Sequence, residues 1–251
     1  MSEGSVKSAI QNGVGVIEFS HPKANSLPSN LLSEIATSIT SFSTDKKCKV
    51  ILLKSAGEKA FCAGASFDEL LALENDESAA TEYFLGFAKV ILAMRDSKKF
   101  VVTRVQGSSV GGAVGLIAAS DLAFASKKAR VKLSELSLGF GPFVIAAPVQ
   151  RKIGAGAFSE LSILAEWRDA EWAKQKCLFT EIYSDDQELD VALEEKLSEL
   201  TMNSLDAMEQ IKRVAWEGTE SWDQLLPERA QKTAKLVLTS SVRTKLQSFK
   251  S

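Results

Sequence analysis

Short apolar runs and longer amphipathic stretches alternate along most of the chain. The apolar runs predict strands at 14–19, 49–54, 100–105, 122–125, 130–133 and 179–183. Apolar residues repeat at helical spacing over about 29–43, 67–95, 113–120 and 155–166, with an acidic break near 74–77. From 187 to the end the patterns are helical and amphipathic throughout.

This order of elements predicts the fold class. Strands that alternate with helices are typical of an α/β protein, and the run at 49–54 has the continuous apolar pattern of a strand buried on both faces. We therefore predict an α/β body at 1–186 and a helical region at 187–251. The helical region packs either on its own body or on a neighbouring subunit, and both arrangements stay open at this stage.

Charge and composition exclude several classes of protein. The 251 residues contain 30 Lys+Arg and 32 Asp+Glu, for a formal net charge of −2, which argues against a nucleic-acid partner. The apolar runs are shorter than the roughly 20 residues that cross a bilayer, and the first residues do not resemble a signal peptide. Three cysteines form no disulfide framework. We expect a cytoplasmic protein with no membrane partner.

The single histidine, His21, limits the chemistry further. It excludes a multi-histidine metal site, and we expect no metal. Residues 107–111 (GSSVG) match the G-x-S-x-G turn of a serine hydrolase, with Ser109 as the nucleophile. That fold needs its histidine after the serine, whereas His21 comes about 90 residues before it. A serine hydrolase is therefore disfavoured.

The glycines of this segment favour backbone chemistry. Gly111 and Gly112 lie where a helix is predicted to begin, so their N–H groups have no intrahelical acceptor and lie at the positive end of the helix dipole. Such N–H groups can stabilise an oxygen that becomes negative during a reaction. Residues 62–65 (CAGA) form a second loop of small residues after a predicted strand. Taken alone, both segments could equally be ordinary tight turns.

Together, the two loops and other segments resemble the crotonase (enoyl-CoA hydratase/isomerase) superfamily. The matching residues, in family order, are 21–27 (HPKANSL), 60–65 (AFCAGA), 110–113 (VGGA), 120–121 (SD), 133–139 (LSELSLG) and 168–170 (RDA). The resemblance implies a spiral of ββα repeats with a C-terminal helical trimerisation region. It also implies a homotrimer or a dimer of trimers.

The same resemblance implies the substrate and the residues that bind it. The substrate is an acyl-CoA thioester, so coenzyme A belongs to the substrate and no separate cofactor is expected. By analogy, the N–H groups of Ala65 and Gly112 form an oxyanion hole, and Glu135 is the general base. The implied substrate-binding residues are Lys23, Ala24, Ala63, Gly64, Ala65, Gly111, Gly112 and Phe143. Phe249 or Lys250 is a candidate for a C-terminal contact with CoA.

The acidic residues favour one reaction. Family hydratases use two glutamates, and the first of them would fall at Gly115, three residues after Gly112. Only the second, Glu135, is present. One base can carry out a 1,3-proton shift, whereas two carboxylates orient a water more readily. We therefore expect a Δ3,Δ2-enoyl-CoA isomerase. The alternatives are a hydratase in which another group replaces the missing acid, for straight-chain or branched substrates, and a catalytically weak CoA-binding scaffold.

Several other positions in or near the matched segments affect the interpretation. The family often has Asp where this chain has Ser66, and Asp68 and Glu69 follow at a predicted helix start, where acids interact with the helix dipole. Phe143 is expected to narrow the acyl pocket. Cys62 has no histidine nearby in the sequence to activate it as a nucleophile. Glu135 falls at the predicted end of a strand.

Overall fold

The computed structural model describes residues 4–248, which form ten strands and eleven helices. The strands are β1 Ser5–Gln11, β2 Val14–Ser20, β3 Val50–Ser55, β4 Ala60–Cys62, β5 Phe100–Val105, β6 Ser108–Val110, β7 Leu122–Ser126, β8 Arg130–Lys132, β9 Arg168–Asp169 and β10 Glu181–Tyr183. The helices of the body are α1 Ser29–Thr44, α2 Phe67–Ala72, α3 Glu77–Asp96, α4 Gly112–Ala119, α5 Glu135–Leu138, α6 Phe143–Leu164 and α7 Ala170–Gln175. The remaining helices are α8 Asp186–Thr201, α9 Leu205–Ala215, α10 Trp222–Val237 and α11 Ser240–Ser248.

The strands form two sheets, and from β3 to β8 consecutive strands alternate between them. The larger sheet has the order β1-β2-β3-β5-β7-β10, and the smaller has the order β4-β6-β8-β9. Thus β3, β5 and β7 lie side by side in the first sheet, and the strands that follow them, β4, β6 and β8, lie side by side in the second. Helices follow each strand pair. This arrangement confirms the α/β class and the ββα repeat.

The core lies between the sheets and helices α1, α3, α4 and α6. Helix α1 buries one apolar stripe and exposes the opposite face, as its sequence period predicts. Helix α4 is different, because every residue from Ala113 to Ala119 is buried. A helix that is apolar all round fits only inside the fold, and this fixes its first turn rigidly.

The C-terminal helices pack on the body of the same chain. Helix α10 lies against α3 and α6, and α11 lies against α2 and α5. Arg243 of α11 donates hydrogen bonds to the carbonyl oxygens of Leu71 and Glu74, and Lys245 Nζ lies 2.9 Å from the Ser137 carbonyl oxygen. Of the two arrangements that the sequence leaves open, the structure has the first.

Several elements differ from the sequence-based predictions. Strand β1 is not predicted, because Ser5–Gln11 is largely exposed at the edge of the sheet and its pattern is mostly polar. Helix α6 begins at Phe143 rather than near 155, since Pro148 and a non-helical Gly154 interrupt its sequence pattern. Glu135 is the first residue of α5 and does not end a strand, because β8 ends at Lys132 and residues 133–134, which belong to neither element, separate the two.

Candidate active site

Three loops that carry the predicted site follow three neighbouring strands of the smaller sheet. Strand β4 leads into the Ala63–Gly64–Ala65 loop, β6 into Gly111 and Gly112, and β8 into Glu135. These three strands are parallel, so their carboxyl ends meet at one edge of the sheet. Such an edge is a common place for a ligand site. The fold thus brings together residues that lie up to 72 positions apart in the sequence.

The first two loops contact each other through their glycines. Gly64 has a φ of +83°, and a Cβ there would lie 2.5 Å from the Val110 carbonyl oxygen and 3.4 Å from the Gly112 nitrogen. Only glycine allows this approach. Within residues 4–248, neither the Ala65 nor the Gly112 N–H donates to a protein acceptor. Both N–H groups are therefore free to donate to a ligand.

Gly111 and Gly112 also make room for neighbouring side chains. Gly111 has a φ of +56°, and a Cβ on it would lie 2.8 Å from Glu135 Oε1. A Cβ on Gly112 would lie 2.3 Å from Cε1 of Phe87. A side chain at either position would displace the carboxylate or the aromatic ring. The two glycines are thus required by what packs against them as well as by their own conformation.

Glu135 is buried in an apolar setting. It is 7% exposed, and within the described part of the chain its Oε2 has no hydrogen-bond partner. Burial raises the pKa of the carboxyl to about 7, against a smaller opposing effect of the backbone amides of Glu135 and Ser134. A carboxyl group with a pKa near neutrality can both accept and donate a proton at physiological pH.

A small apolar cavity of about 50 Å³ lies beside Glu135 and both glycine loops. Its walls include Phe143, as the sequence analysis expected, and also residues that were not expected: Phe67, Phe84, Phe87, Ile145 and Thr233. Glu135 is the sole ionisable side chain among the described residues that line it. Thr233 comes from α10, so the C-terminal region completes the wall.

Ile145 explains the absence of an acid at Gly115. A Cβ built on Gly115 would lie 2.2 Å from Cγ2 and 2.5 Å from Cβ of Ile145. Helix α6 therefore occupies the volume that any side chain at 115 would need. The hydrocarbon side chain of Ile145, which lines the cavity, therefore lies where a side chain at position 115 would be.

The segment expected to bind coenzyme A is joined to the Ala63–Gly64–Ala65 loop. The Ala63 N–H donates to the Ala24 carbonyl oxygen at 2.9 Å, and the Leu27 N–H donates to that of Gly64 at 2.8 Å. Ala24 has a φ of +49°. The structure thus brings the two expected binding segments together. Lys23 is at the surface and forms an ion pair with Asp68.

The acids after Ser66 have structural contacts. The Ser66 hydroxyl accepts a hydrogen bond from the Glu69 N–H at 3.4 Å, so Ser66 is the N-cap of α2. Glu69 accepts from the Ser29 N–H at 2.8 Å. Neither Asp68 nor Glu69 is among the described residues that line the cavity. Phe249 and Lys250, the candidates for a C-terminal contact with CoA, lie outside the described residues.

Ser109 and Cys62 are core residues. Ser109 is fully buried, and His21 instead lies with its Nδ1 3.0 Å from the hydroxyl oxygen of Ser26. Cys62 is fully buried, and burial raises its pKa to about 12. A thiol with so high a pKa is a poor nucleophile at neutral pH. Neither side chain has the surroundings of an activated nucleophile.

Among residues 4–248, no helix has the length and apolar character needed to cross a membrane. This finding agrees with the short apolar runs of the sequence.

Comparison with known proteins assigns the family. The family model described as enoyl-CoA hydratase/isomerase matches residues 9–250. A probable enoyl-CoA hydratase of Rhizobium meliloti is 27% identical over 185 residues, which is 73% of this chain and 70% of that protein. The short-chain-enoyl-CoA hydratase of Clostridium acetobutylicum is 28% identical over 183 residues, 72% of this chain and 69% of that protein.

Solved structures show the same fold. The crystal structure of an enoyl-CoA hydratase from Bacillus halodurans has a TM-score of 0.88 at 22% identity and covers 97% of this chain and 99% of its own. That of a putative enoyl-CoA hydratase/isomerase from Acinetobacter baumannii has a TM-score of 0.87 at 22% identity, with 97% and 98% covered. The family match, the shared fold and the two glycine loops beside one buried glutamate agree. The chain therefore belongs to the enoyl-CoA hydratase/isomerase family, and it is an enzyme of the crotonase superfamily for which an acyl-CoA substrate is implied.

Proposed function

We propose that this protein is a Δ3,Δ2-enoyl-CoA isomerase with Glu135 as its one acid–base group. The observation that carries the proposal is the packing of Ile145 against Gly115, since it leaves no space for a second carboxylate at that position. A proton shift needs a single group that first accepts and then donates a proton, and the pKa of about 7 suits Glu135 to both steps.

The proposed reaction has two proton transfers. The thioester carbonyl oxygen accepts hydrogen bonds from the Ala65 and Gly112 N–H groups, and the Glu135 carboxylate removes a proton from C2 of the 3-enoyl-CoA. The electron pair of the broken C–H bond spreads over C2, C4 and the thioester oxygen, and the two N–H groups stabilise this dienolate. The Glu135 carboxylic acid then returns the proton to C4, and the double bond is left between C2 and C3.

The size of the cavity supports a short acyl chain as the substrate. A water molecule needs about 10–15 Å³ on the same volume scale, so 50 Å³ corresponds to roughly four waters and leaves room for a chain of only a few carbon atoms. Phe84, Phe143 and Ile145 are among the bulky residues that line it. We therefore propose short-chain enoyl thioesters as substrates. The trimeric assembly is a separate prediction that follows from the family resemblance.

A hydratase is the second candidate. The curated relatives named above are a probable and a short-chain enoyl-CoA hydratase, and they favour it. In this chain it needs a group other than a residue-115 carboxylate to activate the water.

Product analysis separates the candidates. Purified protein is incubated with short 3-enoyl-CoA and, separately, with 2-enoyl-CoA. The proposal expects the 3-enoyl substrate to gain the absorbance of a conjugated thioester with no change in mass. If the 2-enoyl substrate instead gives a product heavier by one water, and does so faster than the 3-enoyl substrate isomerises, the protein is a hydratase and the isomerase proposal is wrong.

The Glu135→Gln variant is the control for both reactions. It keeps the shape of the side chain and removes its ability to exchange a proton, so we expect a loss of activity of roughly 10²- to 10⁴-fold with CoA binding retained. Full activity of this variant would contradict Glu135 as the base. Binding of CoA thioesters by wild-type protein without turnover would favour the scaffold.

A further inference from the structure

Helix α3 carries two aromatic residues, Tyr83 and Phe87, that contact the two glycine loops of the site. They are four residues apart and so lie on one face of the helix. Their rings meet edge to face with centroids 6.1 Å apart. Tyr83 reaches the loop that contains Ala65, and Phe87 reaches Gly112.

The Tyr83 hydroxyl joins two backbone segments. Its Oη accepts a hydrogen bond from the Ser66 N–H at 2.7 Å and donates one to the Leu27 carbonyl oxygen at 2.8 Å. The residue is 1% exposed, and burial raises its pKa well above the ordinary value. The hydroxyl therefore keeps its proton. Because a carbonyl oxygen can only accept, this proton points to Leu27 and a lone pair faces Ser66.

Together with a third hydrogen bond, these two hold the peptides on both sides of Ala65. The Leu27 N–H donates to the Gly64 carbonyl oxygen at 2.8 Å, and that carbonyl belongs to the same planar peptide as the Ala65 N–H. In a trans peptide the two groups point in opposite directions. Leu27 thus orients the Ala65 N–H away from itself, while Tyr83 links Leu27 to the next peptide. Leu27 and Ala65 also form an isolated parallel β-bridge.

Phe87 supports the other donor. A Cβ built on Gly112 would lie only 2.3 Å from Cε1 of Phe87, so the ring packs directly against the Gly112 backbone. It also lines the cavity. One helix therefore packs against the backbone of both donors through two aromatic rings that contact each other.

We propose that Tyr83 is a positioning residue for the oxyanion hole: through Leu27 and Ser66 it sets the direction of the Ala65 N–H. This inference rests on the proposed function, which places the thioester oxygen between Ala65 and Gly112. Tyr83 is not among the described residues that line the cavity. It acts on the rate by aligning a donor, and a misalignment of about 1 Å in such a group can cost roughly 10²-fold.

The kinetic test compares the two tyrosines of the chain. Tyr83→Phe removes the hydroxyl and keeps the ring, whereas Tyr183→Phe makes the same change on β10, outside the cavity. We expect Tyr83→Phe to lower kcat for 3-enoyl-CoA at least ~10-fold with KM changed less than ~3-fold. Tyr183→Phe should leave both constants unchanged. A kcat for Tyr83→Phe within twofold of wild type overturns the proposal.

A spectroscopic test separates this proposal from the proposed function. 2-Enoyl-CoA labelled with ¹³C at the thioester carbonyl is bound to Glu135→Gln protein, in which proton transfer is blocked. Hydrogen bonds to the carbonyl oxygen move its ¹³C resonance downfield. We expect this shift in Glu135→Gln, and at least a halving of it when Tyr83→Phe is added. No shift in Glu135→Gln refutes the oxyanion hole itself, whereas an equal shift in both proteins refutes only the role of Tyr83.

A gentler substitution covers the case in which Tyr83→Phe does not fold. Because the chain has two tyrosines, fluorotyrosine supplied to the Tyr183→Phe protein enters at position 83 alone. The ring keeps nearly the same shape, while the hydroxyl becomes a stronger donor and a weaker acceptor. We expect kcat to change at least twofold with an unaltered melting temperature. An unchanged kcat contradicts the proposal.

Discussion

A single buried carboxyl group gives this site a marked pH dependence. Glu135 has its pKa raised from 4.5 to about 7 by burial. In the proposed reaction the carboxylate is the form that removes the proton, so kcat/KM for 3-enoyl-CoA should rise with pH and level off above a midpoint near 7. A pH profile of wild-type protein measures this. A midpoint near 4.5 would mean that water reaches the group freely.

The same pKa predicts how stability changes with pH. Between pH 4.5 and about 7 the folded state holds a proton on Glu135 that the unfolded chain releases, so the free energy of unfolding falls as pH rises through this window. The effect is complete above pH 7 and corresponds to about 3 kcal/mol. Glu135→Gln lacks it. Urea unfolding of wild-type and Glu135→Gln protein at several pH values measures this. The free energy of unfolding of the variant should exceed that of wild type by an amount that grows as pH rises.

The contact between Gly115 and Ile145 can be measured with a double-mutant cycle. Gly115→Ala places a methyl group 2.2 Å from Ile145 Cγ2, and we expect a cost of about 1–3 kcal/mol. Ile145→Ala removes the obstacle, so the double variant should be more stable than the sum of the single changes by at least ~1 kcal/mol. The gain in helix propensity on replacing glycine cancels within the cycle.

A control for this cycle lies in the same helix as Ile145. Gly156 has open space around its Cβ position and an ordinary φ, so Gly156→Ala should be neutral or stabilising. An additive cycle, with Gly115→Ala as harmless as Gly156→Ala, would refute the steric explanation for the missing acid.

At the scale of elements, the sequence predicts those whose burial is one-sided or complete. Helix α1 and strand β3 lie within a residue or two of their predicted bounds, because each shows its pattern over enough residues. Strands β4 and β6 have three residues each, too few for any period to appear. The sequence pattern therefore predicts neither strand.

The site was predictable only where its residues are consecutive. The glycine loops and Glu135 are local motifs, and the structure brings them together. Ile145, Tyr83 and Thr233 reach the site from α6, α3 and α10, and nothing in their own neighbourhood distinguishes them from core residues. Their roles depend on which helices meet, and the sequence of one helix does not contain that information.

Helix α11 fixes the end of α2. Arg243 donates to the carbonyl oxygens of Leu71 and Glu74. Because α2 ends at Ala72, no further helical turn supplies N–H donors to these oxygens. We expect Arg243→Ala to speed amide hydrogen exchange in α2 and to leave α4 unchanged. Arg213→Ala, which removes an exposed ion pair with Glu209, is the matched control. Equal exchange in both variants would mean that α11 does not hold α2.

At the scale of the whole molecule, a buried ion pair connects the C-terminal region to the body. Lys212 of α9 is 2% exposed, with its Nζ 2.9 Å from Asp121 Oδ2 and 2.8 Å from the Lys99 carbonyl oxygen. The indole N–H of Trp216 donates to the other oxygen of Asp121 at 2.9 Å. Asp121 thus joins the start of β7 to α9.

Removing one partner of this pair should be costly. Asp121→Asn leaves the Lys212 ammonium buried without a counter-charge, and we expect a loss of about 3–5 kcal/mol in denaturant unfolding. Asp223→Asn breaks the ion pair between Arg95 and an exposed carboxylate and should cost no more than ~1 kcal/mol. Equal losses in the two variants would show that burial of the Lys212 pair contributes nothing.

The contact between Gly115 and Ile145 also limits how such a protein can change over generations. Acquiring a carboxylate at 115 while Ile145 remains meets an overfilled core, and shortening Ile145 first leaves an empty space. Either first step costs stability, and neither one alone supplies a second acid. A lineage with this pair of residues is therefore separated from a second acid at position 115 by an unfavourable intermediate.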